Sequence, residues 1–120
     1  MPAVQLEMSK PTVHVLYSPN ASEAVLKELL YGLEEEGIPW ETETKAGGDA
    51  LALAWEAAQA SRLGVGVGLD GQTVILHFNK LDREQPLYRI PARSMGLVRV
   101  LGANAARLVK KLPLKPLDGR

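Results

Sequence analysis

The stretch Leu63-Gly64-Val65-Gly66-Val67-Gly68-Leu69-Asp70-Gly71-Gln72-Thr73-Val74-Ile75-Leu76-His77-Phe78 decides the fold. Two strand-like runs, Leu63 to Leu69 and Thr73 to Phe78, flank Asp70-Gly71. Asp-Gly between such runs is a strong hairpin signal, so the two strands are expected to run antiparallel. Gly64, Gly66 and Gly68 alternate along the first run and bare one face of it for close packing. They do not make a dinucleotide fingerprint. G-x-G-x-x-G must open a helix, whereas here the third glycine comes too early and a hairpin follows.

Upstream the pattern alternates strand and helix. Thr12 to Tyr17 carries apolar Val13, Val15 and Tyr17 against Thr12, His14 and Leu16 and reads as a strand. Ser18-Pro19-Asn20 is a turn, and Asn20 or Ser22 can cap a helix that ends at Glu36. Ile38 to Thr44 alternates as a second strand. Ala46-Gly47-Gly48 breaks it, and Asp49 is a natural cap for a helix reaching Ser61. Downstream, Pro86 to Ile90 fits a fifth strand and Leu97 to Lys111 a last helix with Leu97, Val100, Leu101, Ala105 and Leu108 turned inward. Gly102 inside that run predicts a later start or a kink. The order is βαβαβββα. Alternation at the front implies parallel neighbours and the hairpin adds one reversed strand, which gives an α/β domain with a mixed, mostly parallel five-stranded sheet.

The end of the first helix is chemically unusual. In Leu33-Glu34-Glu35-Glu36-Gly37-Ile38-Pro39, Gly37 reads as the left-handed residue past the helix end and Ile38-Pro39 cannot continue it. Three carboxylates thus face the negative end of the helix dipole, at a cost of about 0.3–1 kcal/mol each when exposed. A cation or a basic partner would offset that cost. Leu26, Leu29, Leu30 and Leu33 form the inward stripe, so Glu35 projects roughly opposite it, with Glu34 and Glu36 flanking. Three consecutive helical residues fan too widely to chelate one metal together, so a site using Glu35 needs ligands from elsewhere. By local pattern alone, all three also read as solubilising surface charge.

The remaining bounds are those of one small domain. The chain has 120 residues, 14 basic and 14 acidic, and no cysteine. Zero net charge argues against a nucleic-acid partner, and Lys110, Lys111, Lys115 and Arg120 are interrupted by prolines and lack interleaved aromatics. The missing cysteines exclude disulfides and thiolate chemistry and fit a reducing compartment. No apolar run reaches the roughly 20 residues that span a bilayer, and the first ten residues lack a signal-peptide core, so a cytoplasmic location with no membrane partner is expected. Residues 1–11 read as a flexible arm, 12–112 as the domain and 113–120 as a tail.

Chemistry is sparse. No G-x-x-x-x-G-K-[ST] phosphate loop occurs. His14 and His77 sit inside strands without a partner at motif spacing, Asp49 is more simply a cap, and no serine has a nucleophile-elbow context. The chain is not expected to be an enzyme alone. In the second helix, Leu51, Ala54, Trp55 and Ala58 form one apolar face and Leu53, Ala57 and Ala60 another. A helix apolar on both sides is buried on both sides, so the second face is either a partner interface or close packing of an alanine-rich helix on the sheet.

Several segments together resemble the small subunit of diol and glycerol dehydratase-reactivating factors, a family related to the medium subunit of the cobalamin-dependent dehydratases. They are Gly32 to Pro39; Ala46 with Gly48-Asp49; Ala54-Trp55 with Ala57-Ala58 and Ser61; Leu63 with Val65-Gly66 and Asp70; and Asn104 to Lys110 with Pro113. The order is kept from about residue 12 to 113. Departures are Gly102-Ala103-Asn104, where the family commonly has Gly-Asn-Asn, and the glycine-rich Val67-Gly68-Leu69. The length is that of the reactivase subunit, since dehydratase medium subunits are typically longer.

The resemblance implies a three-layer α/β/α domain with one antiparallel strand. It implies a large-subunit partner with an ATPase domain and a dehydratase client from which damaged cobalamin is released by exchange of related small subunits. It further implies that Glu35 helps hold a nucleotide-associated Mg²⁺ in the large subunit, with Glu34 and Glu36 beside it at the interface and no cofactor held by this chain alone. Oxygen ligation suits that hard ion. The alternatives are a dehydratase medium subunit and an unrelated nucleotide-binding domain.

Overall fold

The computed structural model describes residues 11–117. Their elements are β1 (Val13–Tyr17), α1 (Glu23–Glu35), β2 (Trp40–Thr44), α2 (Ala50–Ala60), β3 (Val65–Leu69), β4 (Thr73–Phe78), β5 (Tyr88–Pro91) and α3 (Met95–Lys110). The sheet order is β2-β1-β3-β4-β5. β1 runs parallel to both β2 and β3, while β4 is antiparallel to β3 and β5. Four strands therefore share one direction and β4 alone is reversed, as the Asp-Gly signal requires. The hairpin is closed by Asp70 itself: its Oδ1 accepts from the Gln72 and Thr73 N–H groups at 2.9 and 2.7 Å.

Side-chain alternation along β3 separates the two faces of the sheet. Val65, Val67 and Leu69 join Val13, Val15, Val74 and Leu76 beneath α1 and α3, which contribute Leu29, Leu33, Val98 and Leu101. The other face presents Gly66 and Gly68 to α2. A Cβ on Gly66 would stand 2.1 Å from the Ala58 nitrogen, and one on Gly68 2.2 Å from the Ala50 oxygen. The bare strand lets the helix backbone rest almost on the sheet. A second close approach joins α1 to α3, where a Cβ on Gly102 would meet the Leu29 oxygen at 2.2 Å.

Element ends refine the sequence reading. α3 begins at Met95 rather than Leu97 and runs unbroken through Gly102. Gly102 marks the helix crossing instead of a kink. The buried face of α3 is led by Val98, Leu101, Asn104 and Ala105, while Leu97, Val100 and Leu108 are half-buried. β2 starts at Trp40 and β5 spans Tyr88–Pro91.

The first residues of the expected tail are held rather than loose. The fully buried Asn104 side chain donates to the Lys115 carbonyl (2.9 Å) and accepts from its N–H (2.7 Å). Arg107 donates to the Pro113 carbonyl at 3.1 Å, and Leu117 packs on the core. All but Pro11 of the expected flexible arm at residues 1–11 lies outside the described range, as do the last three residues. No helix among the described residues is long and apolar enough to cross a membrane.

Candidate functional site: the charged seam between the first and last helices

The end of α1 is fixed by backbone geometry. Gly37 takes φ +75°, and the Gly37 and Ile38 N–H groups return to the Glu34 and Leu33 carbonyls at 3.0 and 3.5 Å. This double bond pattern stops the helix and sets where its glutamates point. The three then meet different fates.

Glu36 is taken up by its own chain. Its Oε2 accepts from Arg107 Nε at 3.1 Å and its Oε1 from Lys110 Nζ at 3.1 Å, while Lys110 also donates to the Glu36 carbonyl at 2.7 Å. The Lys110 hydrogen bond, reinforced by Arg107, holds the Glu36 carboxyl below its ordinary pKa despite partial burial. The basic last turn of α3 thus supplies, within one chain, the counter-charge that the carboxylate-rich helix end calls for. At Glu36 that counter-charge comes from no partner.

Glu35 belongs to a second cluster. Glu28, Tyr31 and Glu35 share one face of α1 at three- and four-residue spacing, and Arg99 of α3 lies across all of them. Arg99 grips Glu28 with two bonds, Nε to Oε2 at 3.0 Å and Nη2 to Oε1 at 3.2 Å, and gives Nη1 to Glu35 Oε2 at 2.8 Å. Its guanidinium carbon sits 5.3 Å from the centroid of the Tyr31 ring. The hydrogen bond to Glu28, followed by that to Glu35, raises the Arg99 pKa. The Glu35 side chain nevertheless stays 50% exposed. Glu34 is exposed, with no ion pair among the described residues.

Two of the three helix-two residues read as an interface, Leu53 and Ala57, lie inside the domain's own core. Leu53 is 1% exposed and Ala57 0%, packed with Leu16 of β1 on the sheet. Ala60 is exposed at the helix end. Ala54 and Ala58 on the neighbouring face are equally buried, because Gly66 and Gly68 draw the helix so deep that the central residues of both apolar faces are covered, while Leu51 and Trp55 are half-buried. At Leu53 and Ala57 the two-sided pattern is therefore consumed inside this chain.

Neither histidine is placed for catalysis. His77 is fully buried beside Trp55, donating from Nε2 to the Arg83 carbonyl at 2.9 Å and accepting at Nδ1 from the Phe78 N–H at 2.9 Å. His14 faces Glu41 at 4.0 Å on the sheet. The crevice at the carboxyl ends of the strands, where α/β folds bind nucleotides, is lined by Asn20, Gly47, Gly48, Asp49, Asp70 and Gln72. Asp70 accepts the Ala50 N–H at 3.0 Å and Asp49 the Ala52 N–H at 2.9 Å. The helix N-terminus that would receive a phosphate already holds two carboxylates, so the crevice does not fit a nucleotide.

Among the described residues, no group of three or more His, Cys, Asp or Glu converges as a metal cage. Glu35 fits a hard cation only as one exposed carboxylate contributed to ligands on another molecule. Sequence reasoning identified its outward direction but missed Arg99, Arg107 and Lys110. The pairings span 64 to 74 residues, beyond any local rule, although Arg107 and Lys110 in the last turn of a helix are a visible basic pair.

Comparison with known proteins fits this geometry. The sequence matches the profile of the family described as dehydratase medium subunit over residues 10–115. It is 37% identical over 93 residues to the diol dehydratase-reactivating factor small subunit of Klebsiella michiganensis, covering 77% of this chain and 74% of that one. To the propanediol dehydratase-reactivating factor small subunit of Salmonella typhimurium it is 38% identical, covering 75% and 78%. A solved glycerol dehydratase reactivase chain superposes with a TM-score of 0.86 at 40% identity, over 91% of this chain and 100% of that one. A chain of a diol dehydratase-reactivating factor complexed with ADP and Mg²⁺ superposes with 0.83 at 31% identity, over 89% and 99%. By sequence and by fold, this chain belongs to the dehydratase medium-subunit family, alongside the small subunits of dehydratase-reactivating factors.

Proposed function

We propose that this chain is the non-catalytic small subunit of a reactivating factor for a cobalamin-dependent diol or glycerol dehydratase. It pairs with a large subunit that hydrolyses ATP, and the complex releases damaged cobalamin by exchanging this chain for the related medium subunit of the dehydratase. Family membership supports the role, and the structural likeness to a reactivating factor complexed with ADP and Mg²⁺ supports a nucleotide-bearing partner. The observation that carries the reading to a residue is Glu35. Like Glu34, it stays exposed at the end of α1 after Glu36 has been neutralised, and its helical phase directs it away from the core. In the complex Glu35 contributes a carboxylate oxygen to the Mg²⁺ held with the partner's nucleotide.

Titration of the large subunit by calorimetry tests this. Glu35→Gln should fold normally yet lose affinity, and the loss should be larger with Mg²⁺ and ADP than with ADP and a chelator. Equal affinity of variant and wild type in Mg²⁺ and ADP would make Glu35 ordinary surface charge. A chain that retained stoichiometric cobalamin through purification would instead point to a dehydratase subunit.

A further inference from the structure

The acidic face of α1 carries a device that the role of Glu35 does not explain. Arg99 could have satisfied Glu35 with its whole planar fork; instead it gives two nitrogens to Glu28 and a single one to Glu35. The trio holds two carboxylates and one guanidinium, so one negative charge is left over. The bidentate pair is the stronger and more shielded of the two contacts, with the Glu28 side chain 24% exposed against 50% for Glu35. The surplus charge is therefore presented at Glu35. Arg99 in turn is pinned from below by the Tyr31 ring, and its backbone lies where α1 and α3 touch, the Arg99 oxygen being 2.2 Å from a Cβ built on Gly32.

We infer that Arg99 is a positioning residue for Glu35: neutralised by Glu28 and clamped by Tyr31, it orients one oxygen of Glu35 by a hydrogen bond while leaving the carboxylate its full negative charge for a divalent cation. The inference rests on the proposed metal role of Glu35 and adds Arg99, Glu28 and Tyr31 to it. A free guanidinium beside a cation site would repel the cation. One already paired to a second carboxylate acts as a neutral donor, and donors of that kind behind a ligating carboxylate typically change metal-dependent affinity by about 10–100-fold. The same contact stops Glu35 from sampling its other rotamers, an entropy that would otherwise be lost on association.

The test measures affinity for the large subunit with ADP, once with Mg²⁺ and once with chelator, so that the Mg²⁺-dependent gain is read separately. Arg99→Met should reduce that gain by about tenfold while leaving the chelator value within twofold. Arg99→Lys keeps the charge but cannot bridge both carboxylates, so it should restore the gain only in part. Glu28→Gln leaves the Glu35 contact intact but removes the neutralising charge, so it should cut the gain several-fold although Glu28 meets no metal. Thermal melts confirm that each variant is folded. Equal weakening of both conditions by Arg99→Met would make Arg99 a helix-packing residue, and tightening in Mg²⁺ would make it a competitor for Glu35; either overturns the inference. A normal gain in Arg99→Met with a lost gain in Glu35→Gln would overturn the inference alone. An unchanged gain in Glu35→Gln would overturn the metal role and the inference together.

Discussion

The second helix and the end of the first make opposite use of a surplus. α2 has more apolar surface than one buried face needs, and the sheet absorbs its centre from both faces: Leu53, Ala54, Ala57 and Ala58 are each at most 1% exposed, while Leu51 and Trp55 are half-buried. The end of α1 has more negative charge than a helix C-terminus tolerates, and the fold absorbs only part. Glu36 is neutralised by Arg107 and Lys110 and Glu28 by Arg99, while Glu35 keeps half its surface in water. The contrast teaches that a small domain can hide excess hydrophobicity by bringing an alanine-rich helix onto glycines. Excess charge needs a counter-ion for every carboxylate, and here Glu34 has no ion pair among the described residues and Glu35 shares Arg99 with Glu28.

Leu53→Arg probes the first half of that contrast and should have the largest effect. A guanidinium forced between α2 and Leu16 would be an uncompensated buried charge, costing about 3–5 kcal/mol. The isolated chain should melt more than about 10 °C lower or fail to fold. An unchanged melting temperature in a scan of the purified chain would return Leu53 to the list of interface residues. Gly66→Val comes next, because its Cβ would press on the Ala58 backbone rather than on a flexible side chain. Overpacking of this kind costs about 1–3 kcal/mol, readable as a lowered denaturant midpoint at constant m.

How much of this could be read from sequence follows the range of the interactions. The hairpin was legible because Asp70-Gly71 acts within four residues, and the two capped helix starts at Ser22 and Asp49 were legible for the same reason. The alternating glycines of β3 indicated close packing. What they could not convey was that the approach is close enough to cover the central residues of both faces of α2, which depends on where the helix axis settles. Gly102 misled because a glycine at a helix crossing and one at a kink look alike until Leu29 is found opposite it. At the candidate site, the outward phase of Glu35 was a matter of helical period, whereas its pairing to Arg99 depends on α1 and α3 lying side by side. The buried Asn104 gave no local signal that it anchors Lys115.

Asn104→Ala tests that anchor with an intermediate effect. Both polar groups of Lys115 lose their partner, for a cost of about 1–3 kcal/mol if they stay buried and less if the segment lifts off into water. The second outcome is the expected one, because Lys111, Leu112 and Pro113, which lead into the segment, are exposed. Amide hydrogen exchange should show Lys115 losing protection while β1 and β3 keep theirs. Uniform loss of protection across the sheet would mean that the tail is part of the core rather than a strap on α3.

The smallest effect is expected at Glu36, and its pH dependence separates it from its neighbours. The folded Glu36 carboxyl has its pKa lowered by Lys110 and Arg107. A group whose folded pKa is depressed contributes stability that is present above its unfolded pKa, near 4.5, and is lost as pH falls through the folded value. Glu36→Gln should therefore lower the melting temperature by a few degrees at neutral pH, where wild type has the ion pairs, and the two curves should converge as the pH falls below that range. Glu34→Gln, which breaks no ion pair among the described residues and removes one repulsive charge from the helix end, should melt at or slightly above wild type at neutral pH. Melting curves of the three proteins from pH 7 down to pH 3 make the comparison. A Glu36→Gln deficit that stayed constant across that range would mean that the side chain acts by packing and that its charge plays no part in closing the seam between α1 and α3.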